Sequence, residues 1–186
     1  MDPAVAEAFK AQPRAGFLTA GARDRATQDV PIQIGAGQTC SQPRTVAAML
    51  DLLRVHPGQR VLDVGSGSGW TTALLAELTG PEGSVVGVEI EPSLVTVGSA
   101  NLARAGVPWA SIRPAAAGVL GVPEDAPYDR ILVSANARRL PDELVDQLAE
   151  NGRLVVPVDG WLTLVVKESG TVRATRHGPY RFVPLR

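Results

Sequence analysis

The chain has few of the residues that build disulfides and metal centres. Its 186 residues include one cysteine, Cys40, and two histidines, His56 and His177. A single cysteine excludes a disulfide within the chain and favours a reducing, cytoplasmic location. With no CxxC motif and no clustered histidines, the sequence predicts no bound metal.

An excess of charge of one sign is also missing. Lysine and arginine total 18 and aspartate and glutamate total 19, for a net charge of −1 at pH 7. Because binding to a nucleic-acid backbone relies on a basic surplus, nucleic acid is not an expected partner. No run of about 18 apolar residues occurs, and the first ten residues lack a signal-peptide core, so neither membrane insertion nor export is predicted.

Apolar strands alternate with helical patterns along most of the chain. With 45% hydrophobic residues, one compact domain over residues 1–186, acting as a monomer, is expected. Strands that are apolar throughout are typical of a parallel sheet covered by helices. The sequence therefore predicts an α/β fold with a doubly wound, mostly parallel sheet. The predicted strands are residues 60–64, 84–89, 110–113, 129–134 and 153–158, and the predicted helices between them are residues 70–78, 92–105 and 141–149.

The two ends of the chain depart from this alternation. Asp2 and Pro3 predict the start of a short helix, and residues 45–53, TVAAMLDLL, have helical spacing. Residues 31–43, PIQIGAGQTCSQP, hold two prolines and two glycines and are predicted to be a loop without regular structure. Near the end, residues 161–167 and 180–185 are β-like, which predicts an antiparallel C-terminal hairpin.

The segment VLDVGSGSG, residues 61–69, runs from a strand into a loop with glycine at every second position. Gly65, Gly67 and Gly69 let a ligand approach the main chain beside a helix N-terminus, although a tight strand-to-helix turn is the alternative interpretation. The third glycine comes one residue earlier than in the GxGxxG dinucleotide fingerprint, which disfavours a nicotinamide oxidoreductase.

Two acids accompany this loop. Asp63 precedes it, and Glu89 ends the next strand, where a carboxylate can accept both hydroxyls of a ribose; either could instead be a structural strand-end acid. Together these features resemble class I S-adenosylmethionine-dependent methyltransferases, which have a Rossmann-like sheet. The resemblance implies S-adenosyl-L-methionine as the cofactor. The cofactor-binding residues it implies are Asp63, Gly65, Ser66, Gly67, Gly69, Glu89, Ile90 and Ala117.

Three further blocks resemble the protein-L-isoaspartate (D-aspartate) O-methyltransferase family. They are PIQIGAGQTCSQP at residues 31–43, APYDRILVSANARRLPDELVDQLAENGRLVVP at residues 126–157 and RFVPL at residues 181–185. The resemblance implies methylation of the free carboxylate of L-isoaspartyl residues in damaged proteins or peptides, a repair reaction. It further implies N-terminal helices and a substrate loop in residues 1–58, a cofactor-binding core in residues 59–158 and the hairpin in residues 159–186.

The same resemblance assigns the substrate side of the site. The GQT-x-S loop implies substrate binding by Gln38, Thr39 and Ser41, with Ser41 as the catalytic residue, and Asn136 is a further substrate-binding candidate. A serine that only stabilises a turn is the alternative for Ser41. Because the acceptor carboxylate is ionised at neutral pH, the reaction requires neither a general base nor a metal.

The chain departs from the family pattern where cofactor and substrate edges are expected. Ala117 stands where the family usually has an acid near the adenine, and Asn136 and Arg138 replace small residues and proline. Two alternatives therefore remain open: a carboxyl methyltransferase of the same family specialised for a particular peptide, or a cofactor-binding module that has lost catalysis.

Overall fold

The computed structural model describes residues 1–186, which form a seven-stranded sheet with helices on both faces, a separate two-stranded hairpin and three short 3-10 turns. The helices are α1 (Pro3–Ala11), α2 (Pro43–Leu53), α3 (Trp70–Thr79), α4 (Pro92–Ala105) and α5 (Asp142–Asp146). The strands are β1 (Ile32–Gly35), β2 (Gln38–Cys40), β3 (Arg60–Val64), β4 (Ser84–Glu89), β5 (Ala110–Pro114), β6 (Tyr128–Val133), β7 (Leu148–Val158), β8 (Trp161–Glu168) and β9 (Thr171–Pro179).

The large sheet has the strand order β5-β4-β3-β6-β7-β8-β9. Strands β3 to β7 pair in parallel, and β8 and β9 are antiparallel to their neighbours. This arrangement confirms the α/β class, the mostly parallel sheet and the antiparallel C-terminal hairpin. The chain winds outward in one direction from β3 to β5 and in the other from β6 onward. The carboxyl ends of β3 and β6 therefore meet at a topological switch point, where ligands bind in open α/β sheets.

Side chains of each central strand alternate between two apolar cores. Val61 packs with α1 to α4 on one face, while its neighbour Leu62 packs with Leu144 and Tyr128 on the other. Both faces of the central strands are buried under apolar side chains, which explains why these strands are apolar throughout and do not alternate in polarity. The apolar sequence of these strands thus indicates that they are buried on both faces of the sheet.

The helix ends follow their sequence signals. Asp2 accepts a hydrogen bond from the main-chain N–H of Ala4 at 2.8 Å, so it caps α1 as predicted. Helix α4 ends at Gly106, in the left-handed conformation that glycine adopts most easily. Helix α2 ends instead at Arg54, with φ 52°.

The prediction that residues 31–43 lack regular structure was wrong. Strands β1 and β2 pair antiparallel, with Gln33 opposite Thr39. The turn between them places Ala36 and Gly37 at φ 51° and 71°, as a tight hairpin requires. The prolines lie outside the paired residues, so they remove no hydrogen bond from the hairpin.

The predicted C-terminal strand pairing was also wrong in detail. Residues 171–179, expected to be a connection, form β9, and residues 180–185 lie outside the hairpin. Almost every side chain of β9 is exposed, so this edge strand lacks the apolar alternation that marks a strand. Helix α5 is likewise shorter than expected and β7 begins earlier, at Leu148, which pairs with Tyr128.

After β9 the chain returns to the carboxyl end of the sheet. The main-chain N–H of Asn136 donates to the carbonyl of Val183 at 2.7 Å, and the N–H of Leu185 donates to the carbonyl of Asn136 at 2.9 Å. These bonds place residues 183–186 beside the switch point. None of the helices is long and apolar enough to span a membrane.

Candidate active site

A cavity of about 590 Å³ opens at the carboxyl ends of the central strands. We call it the main cavity. Six segments form its walls: hairpin β1-β2, the glycine loop after β3, the end of β4, the loop after β5, the residues that follow β6, and residues 183–186. The lining residues that the sequence predicted are Gln38, Thr39, Gly65, Gly67, Glu89, Ile90 and Ala117.

The glycine loop has a conformation that other residues rarely adopt. Gly65, Gly67 and Gly69 have φ values of 80°, 54° and 88°. A Cβ on Gly69 would lie 3.1 Å from the carbonyl oxygen of Gly98, whereas one on Gly65 would meet nothing closer than 3.8 Å. Gly69 is therefore required for packing against α4 and does not line the cavity, while Gly65 leaves open space toward the cavity.

Ser66 has an unpaired hydroxyl within this loop. Its side chain is buried, and its Oγ has no hydrogen-bond partner in the protein. An unpaired buried hydroxyl is unfavourable unless a ligand or water satisfies it. Ser66 thus provides a polar group that a ligand in the glycine loop can use.

Glu89 joins the glycine loop to the end of β4. Its Oε2 accepts the main-chain N–H of Gly67 at 2.8 Å, and its Oε1 accepts the N–H of Glu91 at 3.0 Å. Each carboxylate oxygen keeps a second lone pair, and the side chain lines the main cavity. Glu89 is therefore pre-oriented to accept two further hydrogen bonds from a ligand.

Asp63 lies underneath the loop, fully buried and away from the cavity wall. Its Oδ2 accepts hydrogen bonds from the hydroxyls of Thr71 at 2.8 Å and Thr72 at 2.7 Å, while its Oδ1 has no partner. Burial raises the pKa of Asp63 to about 6, although the two threonine hydrogen bonds act in the opposite direction. Asp63 ties β3 to the first turn of α3, so its contact with the loop is indirect.

A smaller space of about 30 Å³, the side recess, lies between the glycine loop and hairpin β1-β2. Ser41 and Ser66 line it, but Ser41 does not line the main cavity. Thr39 and Ser134 line both spaces, so two side-chain hydroxyls stand where the main cavity and the recess meet. Hairpin β1-β2 and the glycine loop thereby bring residues 38–41 of the GQT-x-S segment next to the glycine-loop site.

The wall formed by residues 115–121 is apolar. It consists of three alanines, Val119, Leu120 and two glycines, and Ala117 is exposed. Ile90 lines the same cavity and is 50% exposed. A flat ligand group between them would contact aliphatic side chains and main-chain groups, with no carboxylate in this segment.

The structure does not bring Asn136 into either space. Its side-chain Oδ1 accepts the main-chain N–H of Gly160 at 2.8 Å, and its main chain holds residues 183–185. Arg138 is exposed and likewise lies outside both linings. The contribution of Asn136 visible in the structure is to hold the C-terminal wall of the main cavity.

Several residues that line the main cavity were not predicted from the sequence. Ser134 directly follows the last residue of β6, and its position beside the end of β3 at the switch point could have identified it. The C-terminal wall was missed because residues 180–185 were assigned to the hairpin. Within this wall, the Arg186 guanidinium pairs with the carboxylate of Glu91. No group of three or more His, Cys, Asp or Glu side chains is arranged to hold a metal ion.

Comparison with known proteins places this site in a family. The family model described as protein-L-isoaspartate(D-aspartate) O-methyltransferase matches residues 1–186. A protein-L-isoaspartate O-methyltransferase of Methanopyrus kandleri is 45% identical over 97% of this chain and 82% of its own length. One from Methanococcoides burtonii is 43% identical over 99% of this chain and 92% of its own length.

Solved structures agree with these matches. A Plasmodium falciparum structure, described as a putative protein-L-isoaspartate O-methyltransferase in complex with S-adenosyl-L-homocysteine, has a TM-score of 0.88 and 29% identity. The match covers 100% of this chain and 91% of that one. Sequence, strand order and the position of the glycine-loop cavity therefore lead to one conclusion: the chain belongs to the protein-L-isoaspartate (D-aspartate) O-methyltransferase family of methyltransferase enzymes.

Proposed function

We propose that this protein transfers the methyl group of S-adenosyl-L-methionine to the free α-carboxylate of L-isoaspartyl residues in proteins or peptides. The observation that supports this most directly is the junction of the two spaces. The main cavity is large enough for a nucleoside cofactor, and the side recess beside Ser41 has room for a carboxylate group but not for a whole residue. Thr39 and Ser134 stand at the opening between them.

Residues of the main cavity and of the glycine loop fit the proposed cofactor. Glu89, in the main cavity, has lone pairs free for the two ribose hydroxyls. Ser66, which lines the side recess and not the main cavity, has an unpaired hydroxyl in the loop that would hold the methionine part. Gly65 leaves the space that a Cβ would occupy. Ile90 and residues 115–121 would enclose the adenine through apolar contacts and main-chain groups.

When bound, S-adenosylmethionine would supply a methyl group on a sulfonium. A carboxylate oxygen would form a bond to the methyl carbon in line as the S–CH₃ bond breaks, giving a methyl ester and a neutral thioether that keeps the electron pair. The chain has only to hold the acceptor carboxylate at the recess and exclude water. Ser41, Thr39 and Ser134 can donate neutral hydrogen bonds to the carboxylate. Because such bonds are weaker than those of a cation, they orient the oxygen without withdrawing much of its nucleophilicity.

The side chains that line the recess also favour a carboxylate as the nucleophile. No charged side chain lines it, and no group in it could act as a strong general base. An amine or alcohol acceptor would need deprotonation before it attacked, whereas a carboxylate is already ionised at neutral pH. The site therefore suits carboxyl methylation.

The acceptor itself is best tested with paired peptides. Labelled S-adenosylmethionine is incubated with the protein and two peptides that differ only in one isoaspartyl or aspartyl residue. Strong labelling of the isoaspartyl peptide alone supports the proposal, and equal or absent labelling contradicts it. Labelling of one particular peptide, with none on generic isoaspartyl peptides, would instead favour a specialised enzyme.

The apolar wall at Ala117 motivates a binding measurement beside the activity assay. Calorimetric titration with S-adenosylmethionine and with S-adenosylhomocysteine is expected to show binding of both. Tight binding of both without transfer to any carboxylate acceptor would indicate a cofactor-binding module instead of an enzyme. Action in the cytoplasm and a monomeric state remain parts of the proposal, and size-exclusion chromatography with light scattering tests the latter.

A further inference from the structure

Arg14 is a buried arginine that the proposed chemistry does not use. It lies in the 3-10 turn Arg14–Phe17 and is 4% exposed. Its guanidinium donates to the carbonyl oxygens of Ala26, Gln28, Val30 and Cys40, the shortest at 2.8 Å to Cys40. Its Nε also lies 3.5 Å from the sulfur of Cys40. None of these partners is a carboxylate.

These contacts join the substrate side of the site to the cofactor side. Cys40 lies between Thr39 and Ser41, and Arg14 holds both its carbonyl and its sulfur. The same guanidinium lies over the ring of Trp70, 5.5 Å from its centroid. Trp70 is the first residue of α3, directly after Gly69, and its Nε1 donates to the carbonyl of Gln12 at 2.9 Å.

The positive charge of Arg14 lies one layer behind the side recess. Cys40 and Trp70, which Arg14 contacts, both line that recess, and no charged side chain lines it. Burial raises the pKa of the Cys40 thiol, and the hydrogen bond and charge of Arg14 act against that rise. The field of the guanidinium therefore reaches the strand that carries the acceptor-side residues.

We propose that Arg14 is a positioning residue for methyl transfer, which sets Thr39 and Ser41 against the glycine loop by holding Cys40 and Trp70 from behind the side recess. This inference rests on the proposed function. A displacement of about 1 Å between reacting groups lowers the rate on the order of 10²-fold. Arg14 is the one side chain whose contacts reach from residues 26–30 through Cys40 to the first residue of α3.

Lysine cannot replace this arrangement fully. The planar guanidinium offers five N–H donors in a fixed fork and stacks on Trp70, whereas an ammonium offers three donors on a flexible stem. R14K keeps the charge and loses the fork, and R14M removes both. The two variants therefore separate the electrostatic contribution from the positional one.

Arg130 provides a matched control. It is 7% exposed and also donates only to main-chain carbonyls, among them those of Arg54 at 2.9 Å and Asp129 at 2.7 Å. It contacts neither the side recess nor the main cavity. R130M thus removes an equally buried arginine without touching the site.

The test measures kcat and KM for an isoaspartyl peptide, calorimetric affinity for S-adenosylhomocysteine, and hydrogen–deuterium exchange of residues 38–41. Circular dichroism at the assay temperature shows which variants are folded. We expect R14M to lose on the order of 10²-fold in kcat/KM and R14K to lose less. R14M and R14K should each bind S-adenosylhomocysteine with an affinity within about twofold of wild type. A tenfold change, which corresponds to about 1.4 kcal/mol, is not expected.

R130M is expected to lower stability while leaving kcat/KM and exchange at residues 38–41 near wild type. The inference is overturned if folded R14K and R14M keep wild-type kcat/KM, or if R130M loses as much activity as R14M. An inactive wild type would refute the proposed function instead. In that case hydrogen–deuterium exchange tests whether Arg14 positions residues 38–41. Faster exchange of these residues in R14M but not in R130M supports the positioning role, and unchanged exchange refutes it.

Discussion

The carboxylate of Glu89 accepts the main-chain N–H of Gly67 at 2.8 Å, which ties the end of β4 to the middle of the glycine loop. The loop is thus held by an acid that also faces the main cavity. One side chain fixes the loop and presents acceptors to a ligand, so changing it should affect both.

Glu89→Gln should weaken binding of S-adenosylhomocysteine by about 10- to 100-fold, since hydrogen bonds to a charged group contribute about 1.5–3 kcal/mol. The glutamine amide keeps one acceptor oxygen, but its NH₂ group would face one of the main-chain N–H groups that Glu89 now accepts. Isothermal titration calorimetry measures the change. Glu82→Gln, in an exposed turn, is the control and should bind normally; wild-type affinity in Glu89→Gln would exclude Glu89 from the cofactor site.

Ser41→Ala should lower kcat by roughly 10²-fold, the usual cost of removing one positioned donor. Because Ser41 lines the side recess and not the main cavity, affinity for S-adenosylhomocysteine should be unchanged. Steady-state kinetics with an isoaspartyl peptide provides the measurement. Ser111→Ala, at an exposed position of β5, should keep full activity, and an active Ser41→Ala would mean that Ser41 only stabilises the turn.

Asp63 should make the protein less stable as the pH rises. Its pKa is raised from 3.8 to about 6 by burial, so the folded state binds the proton more tightly than the unfolded state. The resulting stabilisation is complete below pH 4 and is lost as the pH passes 6, a difference of about 3 kcal/mol.

Asp63→Asn removes this titration while its amide oxygen can still accept from Thr71 and Thr72. The free energy of unfolding in urea, measured at pH 4.5 and pH 8, should therefore fall more for the wild type than for Asp63→Asn. Equal pH dependence in the two proteins would show that Asp63 is already ionised across this range.

Gly69→Ala should be more destabilising than Gly106→Ala. Both glycines lie in the left-handed region, with φ 88° and 73°, so alanine at either position costs about 1–2 kcal/mol. Only at Gly69 would the added Cβ also meet main-chain atoms, 3.1 Å from the Gly98 carbonyl oxygen, whereas nothing lies within 4 Å at Gly106. Denaturant unfolding of both variants gives the comparison, and equal losses would mean that α4 shifts to make room.

The core of the fold could be predicted because its strands are buried on both faces. Residues 60–64 and 84–89 are strands with the predicted bounds, since apolar runs between glycine-rich turns leave few alternatives. Strand β9 could not be predicted, because an exposed edge strand is held by main-chain hydrogen bonds that its side chains do not report.

The part of the candidate site that could be predicted is the part marked by glycine spacing and by acids at strand ends. Gly65, Gly67 and Glu89 line the main cavity, whereas Ser66 and Gly69 do not, and cofactor binding by all of them stays a prediction. Ser134 and Arg14 were not predicted, because the residues that they lie against are distant in sequence. Arg14 contacts Cys40, 26 residues away, and nothing local to an arginine after Pro13 indicates that it will be buried without a counter-ion.

The apolar wall around Ala117 has a consequence for inhibitor design. An acid near the adenine would accept a hydrogen bond from the exocyclic amino group and would disfavour bulky groups there. An adenine bound against this wall, as proposed, would meet alanines and exposed space at that edge, so adenosine analogues alkylated at the exocyclic nitrogen should fit this protein. Relatives that keep the acid should reject such analogues, which makes Ala117 a basis for selective inhibition within the family.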